Sequence, residues 1–108
     1  MIKNNKNITD TISYIAKEIE LSVNTFLQGL SEIEQRTNLM FRFKVNKNMF
    51  VYSVYFDKKY MLNLQLFKFD VLANIVRHSL KDMKLQYYFD MEITMIDTDI
   101  KINFIFNF

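Results

Sequence analysis

The chain has 108 residues, 50% of them hydrophobic and 24% charged, with a formal net charge of +2. That composition describes one globular domain, and the charge is too small to imply a nucleic-acid partner by itself. No Cys, no Pro, no Trp, one Gly and one His are present, which excludes disulfides, thiolate chemistry and most Cys/His metal sites.

Residues 1–8 are polar and read as a flexible N-terminal arm of a single 1–108 domain. They have no apolar centre of a secretory signal, and no apolar run approaches the ~18–20 residues a transmembrane helix needs. A cytoplasmic location is therefore expected. Thr9 or Asp10 can cap a helix, after which Ile12, Ala16, Ile19, Val23, Phe26, Leu30 and Ile33 form one apolar stripe. Gly29 and the capping-box pair Ser31/Glu34 interrupt it. Because the stripe runs through Gly29, one continuous helix over 9–36 is preferred to a helix followed by a short second one.

Period-two alternation then predicts strands over 39–45, with Leu39, Phe41, Phe43 and Val45 on one face, and over 49–56, with Phe50, Tyr52, Val54 and Phe56 on one face. Asn46-Lys47-Asn48 makes the turn between them, Asn being tolerant of left-handed backbone angles. After a turn at Asp57-Lys58-Lys59, a third strand is expected over 60–66, with Tyr60, Leu62, Leu64 and Leu66 inward and Met61, Asn63 and Gln65 outward. Asp70 can cap a second helix bearing Leu72, Ile75, Val76, Leu80 and Met83, ending near Lys84. Residues 85–95 and 100–108 alternate again around a turn at Asp97-Thr98-Asp99, and Phe108 is expected in the core. The prediction is an α+β fold, α-β-β-β-α-β-β, with a single five-stranded, mainly antiparallel sheet and both helices on one face.

Candidate chemistry is sparse. His78 lies beside Arg77 and Lys81, away from the helix stripe, and reads as a surface residue with no nucleophile to serve. Asp90 and Glu92 project from one strand face about 7 Å apart. Asp90 with Asp99-Ile100-Lys101 is a loose match to the acidic and lysine residues of metal-dependent nucleases. A solvent-facing hairpin explains the same residues, so no metal, no cofactor and no catalytic residue are expected. Charge is unevenly spread: Arg36, Arg42, Lys44, Lys47, Lys58 and Lys59 stand against Asp57, and Asp90, Glu92, Asp97 and Asp99 against Lys101. Arg42 and Lys44 near Tyr55 could form a nucleic-acid platform, but edge lysines that discourage strand pairing explain most of that set. Met40, Val51, Tyr55, Met61, Tyr88 and Ile105 are the outward apolar residues, one or more from each expected strand, and would form a contact surface if they cluster.

From Thr9 to Phe108, the order of a long helix, a meander, a helix and a hairpin resembles bacterial immunity proteins of polymorphic and contact-dependent toxin systems. The resemblance rests on architecture and carries no diagnostic motif. It implies a protein that is not an enzyme and that neutralises a cognate toxin domain by stoichiometric occlusion. The resemblance implies Asp90, Glu92, Asp97 and Asp99 as mimics of a substrate's negative charge, with Tyr88 as an anchor and Tyr55 as a further contact. A phage-encoded inhibitor of a host defence nuclease, of the anti-CRISPR kind, and a small nucleic-acid-binding module using Arg42, Lys44, Lys58 and Lys59 are the alternatives. No membrane partner is expected, and the chain is either a monomer or a homodimer.

Overall fold

The computed structural model describes residues 5–61, 64–65 and 67–107, with backbone only for residues 5–8 and 87. Its regular elements are α1 (Asn5–Gln28), β1 (Met40–Asn46), β2 (Met49–Asp57), α2 (Lys68–Ser79), β3 (Phe89–Met95) and β4 (Asp99–Asn107). Short 3₁₀ turns at Glu34–Arg36, Lys58–Tyr60, Lys81–Met83 and Leu85–Tyr88 fill the connections. The strands form one antiparallel sheet in the order β1-β2-β4-β3.

Among the described residues, the expected five-stranded α-β-β-β-α-β-β arrangement is therefore corrected to a four-stranded α-β-β-α-β-β one. The strand expected over 60–66 is not formed by its described residues, Tyr60, Met61, Leu64 and Gln65. Its place beside β2 is taken by β4, which pairs along the whole of β2 from Met49↔Asn107 to Asp57↔Asp99. The chain instead leaves β2 through turn-type hydrogen bonds: Met61 N–H to the Lys58 carbonyl, Leu64 N–H to Met61, and Lys68 N–H to Gln65. Met61, expected to face outward, is 3% exposed and belongs to the core. Leu62, Asn63 and Leu66 lie outside the described residues, as does Phe108.

Helix α1 opens at Asn5, ahead of the expected cap at Thr9, and ends at Gln28 instead of running on to residue 36. The capping box explains the stop. Ser31 N–H donates to the Glu34 carboxylate at 3.0 Å, and Glu34 N–H donates to the Ser31 hydroxyl at 3.3 Å. Ser31 is thereby withdrawn from the α1 hydrogen-bond ladder and starts the next turn. Helix α2 begins at Lys68, so Asp70 lies in its first turn, where its charge suits the helix dipole, and is not the cap. The strand expected from Leu85 begins only at Phe89, since Lys84 adopts a left-handed φ of 55° and Leu85–Tyr88 coil into a 3₁₀ turn.

Both helices lie on one face of the sheet. Ile15, Ile19, Val23 and Phe26 of α1 join Phe69, Leu72, Ala73 and Val76 of α2 in one core with Phe50, Val54, Phe56, Phe89, Ile102, Phe104 and Phe106. Phe26 touches Phe56 edge-on at 6.3 Å and Phe69 at 5.7 Å, tying the two helices to β2. Each such aromatic burial stabilises the fold by about 1.5–3 kcal/mol relative to exposure. The helices are joined to each other by Ser79, whose hydroxyl donates to Glu18 while its carbonyl accepts from the Tyr14 hydroxyl. The cover ends over β1: Phe43 is 68% and Val45 50% exposed, although both share the face expected to be buried. Among the described residues, no helix is long and apolar enough to cross a membrane.

Candidate protein-binding face

The face of the sheet turned away from the helices is built by strand alternation. Strand registers align its residues in rows across all four strands. One row runs Arg42, Ser53, Asn103, Glu92; the next runs Lys44, Val51, Ile105, Asp90. A third runs Met40, Tyr55, Lys101, Thr94. Strand order thus places the basic pair on one edge of the sheet and the acidic pair on the other. Three strand spacings, about 14 Å, separate Arg42 from Glu92 and Lys44 from Asp90, so the two edges cannot neutralise each other within the chain. That separation exceeds the Debye length of ~8 Å at physiological salt.

The middle of this face carries a single charged side chain, Lys101, among the described residues. Ser53 is buried and its hydroxyl donates to the Asn103 side-chain carbonyl, so both polar groups are satisfied without solvent. The Lys101 ammonium lies 5.6 Å from the centre of the Tyr55 ring, a cation–π contact. Val51 and Ile105 are half-buried beside them. Together these residues floor a shallow concavity of about 440 Å³ that reaches from Arg42 to Glu92.

The six residues expected to bind a partner occupy four places. Asp90 and Glu92 are exposed on the acidic edge, where an Asp90 oxygen accepts from the Met91 N–H at 2.8 Å. Tyr55 is half-buried in the centre of the open face. Asp97 and Asp99 are at the β3–β4 turn, closed by reciprocal backbone bonds between Ile96 and Asp99. There Asp97 and Thr98 line a second concavity of about 420 Å³ with Asp57, Lys58 and Lys59. Tyr88 is exposed in the 3₁₀ turn before β3 and belongs to no strand face.

Two constellations that the sequence allows are not assembled. Asp90 pairs with Ile105, six residues along β4 from Asp99, which puts about 20 Å between the two acids of the nuclease-like pattern. Among the described residues, no three His, Cys, Asp or Glu side chains gather where an ion could be held. The basic set is likewise split, Arg42 and Lys44 on β1 and Lys58 and Lys59 beyond the far end of β2. Of the outward apolar residues, Met40, Val51, Tyr55 and Ile105 do share the open face, while Met61 and Tyr88 do not.

Two features were not anticipated. The exposed Phe43 and Val45 on β1 have no distinguishing local signal, because their alternation is that of a core strand. The row pairing of opposite charges depends on strand order, which no short-range pattern encodes.

No protein-family model matches the chain, and no curated protein matches it in sequence.

Proposed function

We propose that this chain is a cytoplasmic immunity protein that binds a cognate bacterial toxin domain and neutralises it by stoichiometric occlusion. The observation that carries this reading is the acidic edge, Asp90 and Glu92, presented side by side on a strand anchored by the buried Phe89. Carboxylates held on a rigid strand lose little freedom on binding and speed association with a basic surface. Asp97 in the β3–β4 turn and Asp99 at the start of β4 add two further carboxylates at the turn end of the same hairpin. A toxin that acts on an anionic substrate carries the complementary charge at its entrance, and covering that entrance needs no catalytic group.

The test is co-expression with the product of the reading frame adjacent to this chain's own, followed by calorimetric titration of the purified pair. Wild type should restore growth and bind one-to-one, and Asp90→Lys with Glu92→Lys should weaken binding by more than about tenfold. Full affinity in that double variant moves the interface elsewhere, and a toxin left active by excess wild type ends the reading. A second reading has one observation in its favour: Arg42, Lys44 and Lys101 share a face with Tyr55, as a nucleic-acid platform would. A gel shift that weakens steeply with salt would support that platform.

A further inference from the structure

We infer that the open sheet face is also a docking surface for a second copy of this chain, and that the copies stack face to face about a twofold axis parallel to the strands. The inference goes beyond the proposed function and does not depend on it. It rests on the row register. Rotation about such an axis lays β1 of one copy over β3 of the other, and β2 over β4. Arg42 then faces Glu92 of the second copy, and Lys44 faces Asp90. Val51 meets Ile105, two apolar side chains, and Ser53 meets Asn103. Tyr55 meets Lys101, repeating across the interface the cation–π contact already present within each copy. Every contact occurs twice, as an isologous interface requires.

The alternative twofold, perpendicular to the strands, stacks β1 on β1 and β3 on β3. It sets Arg42 and Lys44 against each other, and Asp90 against Glu92, so like charges oppose it. An edge-to-edge pair of β1 strands fails for the same reason, because Arg42 of one copy comes beside Lys44 of the other. Only the parallel axis makes both charged edges complementary. Its centre holds one charged side chain from each copy, Lys101 against Tyr55, beside the Ser53 hydroxyl already bonded to the Asn103 side-chain carbonyl.

Two antiparallel sheets pack about 10 Å apart at a mean angle near 30°, a gap that long basic and acidic side chains span. Four strands by seven residues give a footprint of about 450 Å², below the ~800 Å² a standard interface takes from each partner. The dimer should therefore be weak and strongly dependent on salt. It shares Asp90 and Glu92 with the proposed toxin contact, so toxin and second copy compete for the acidic edge.

Sedimentation velocity tests the inference, with circular dichroism confirming that each variant is folded. Wild type should associate at concentrations up to about 100 µM, and its dissociation constant should rise at least tenfold between low salt and ~0.5 M. R42E/K44E and D90K/E92K should each be monomeric alone, since both edges of each then carry one sign. Mixed one-to-one they should form a heterodimer, because one variant is acidic on both edges and the other basic on both. A wild type that stays monomeric overturns the inference, as does a mixture that stays monomeric or a variant that still dimerises alone. The toxin reading stands or falls separately, since R42E/K44E leaves the acidic edge intact for the toxin titration.

Discussion

Tyr52 shows how much one side chain can hold in place. Its ring stacks on Phe41 at 5.6 Å and on Phe50 at 6.1 Å, and its hydroxyl donates to a Glu20 carboxylate oxygen at 2.6 Å. It thus ties α1 to β2 and carries the half-buried Phe41 with it. Burial, the hydrogen bond to Glu20 and the Glu20 charge all push the phenol pKa well above its ordinary value of 10.0. The proton is therefore held more tightly in the folded chain than in the unfolded one. Below pH 10 the phenol is neutral in both states and its stabilisation is complete. As the pH passes 10 the unfolded chain ionises first, and stability is lost until the folded pKa is passed. Tyr52→Phe should lower unfolding free energy by about 1 kcal/mol at pH 8. In urea titrations, the gap between wild type and that variant should narrow above pH 10. A gap that widens there would contradict the Glu20 bond as the source. The alternation of 49–56 placed Tyr52 inward correctly, but its partner Glu20 was legible only once α1 was known to lie over β2.

The first helix and the segment after β2 depart from their sequence patterns for different physical reasons. The stripe through Leu30 and Ile33 is helical in spacing, yet spacing says nothing about which backbone groups a capping side chain will claim. Ser31 and Glu34 claim each other, and Ile33 ends up exposed. Gly29 stands at the break without being its cause, for its φ is not left-handed. A methyl group added there would meet the Phe26 carbonyl oxygen at an ordinary 3.5 Å. Gly29→Ala should therefore raise unfolding free energy by about 0.4–1 kcal/mol, through the unfolded chain, while Ser31→Ala should lower it by ~0.5–1 kcal/mol. Thermal melts of the two variants check both signs, and a destabilised Gly29→Ala would return the break to the glycine. The third strand failed because alternation describes a face and not a ladder partner. Residues 60–66 alternate well, but β4 occupies the edge of β2 that they needed.

For the whole molecule, the sheet order β1-β2-β4-β3 was the least legible feature and the one with the most consequence. Both hairpins could be read from their turns and alternation, because those contacts are local. Whether the last hairpin joins β2 through β4 or through β3 depends on long-range packing, and period-two patterns are identical in the two cases. The order decides which aromatic residues are buried: Phe104 on central β4 is fully buried, whereas Phe43 on edge strand β1 is 68% exposed, though both lie on the helix-facing side. Phe104→Ala should cost about 3–5 kcal/mol, and Phe43→Ala under ~1 kcal/mol. A larger deletion follows the same logic. Removing 104–108 takes Phe104 and Phe106 from the core and strips β2 and β3 of their shared neighbour over the Met49–Tyr52 and Phe89–Met91 ends. Two strand edges would then present unpaired backbone groups next to an opened hydrophobic core, the condition that leads strands to pair between molecules. The truncated chain should be insoluble, or soluble without a cooperative melt. A soluble product melting at the wild-type temperature would mean that β4 is not the central strand of the sheet.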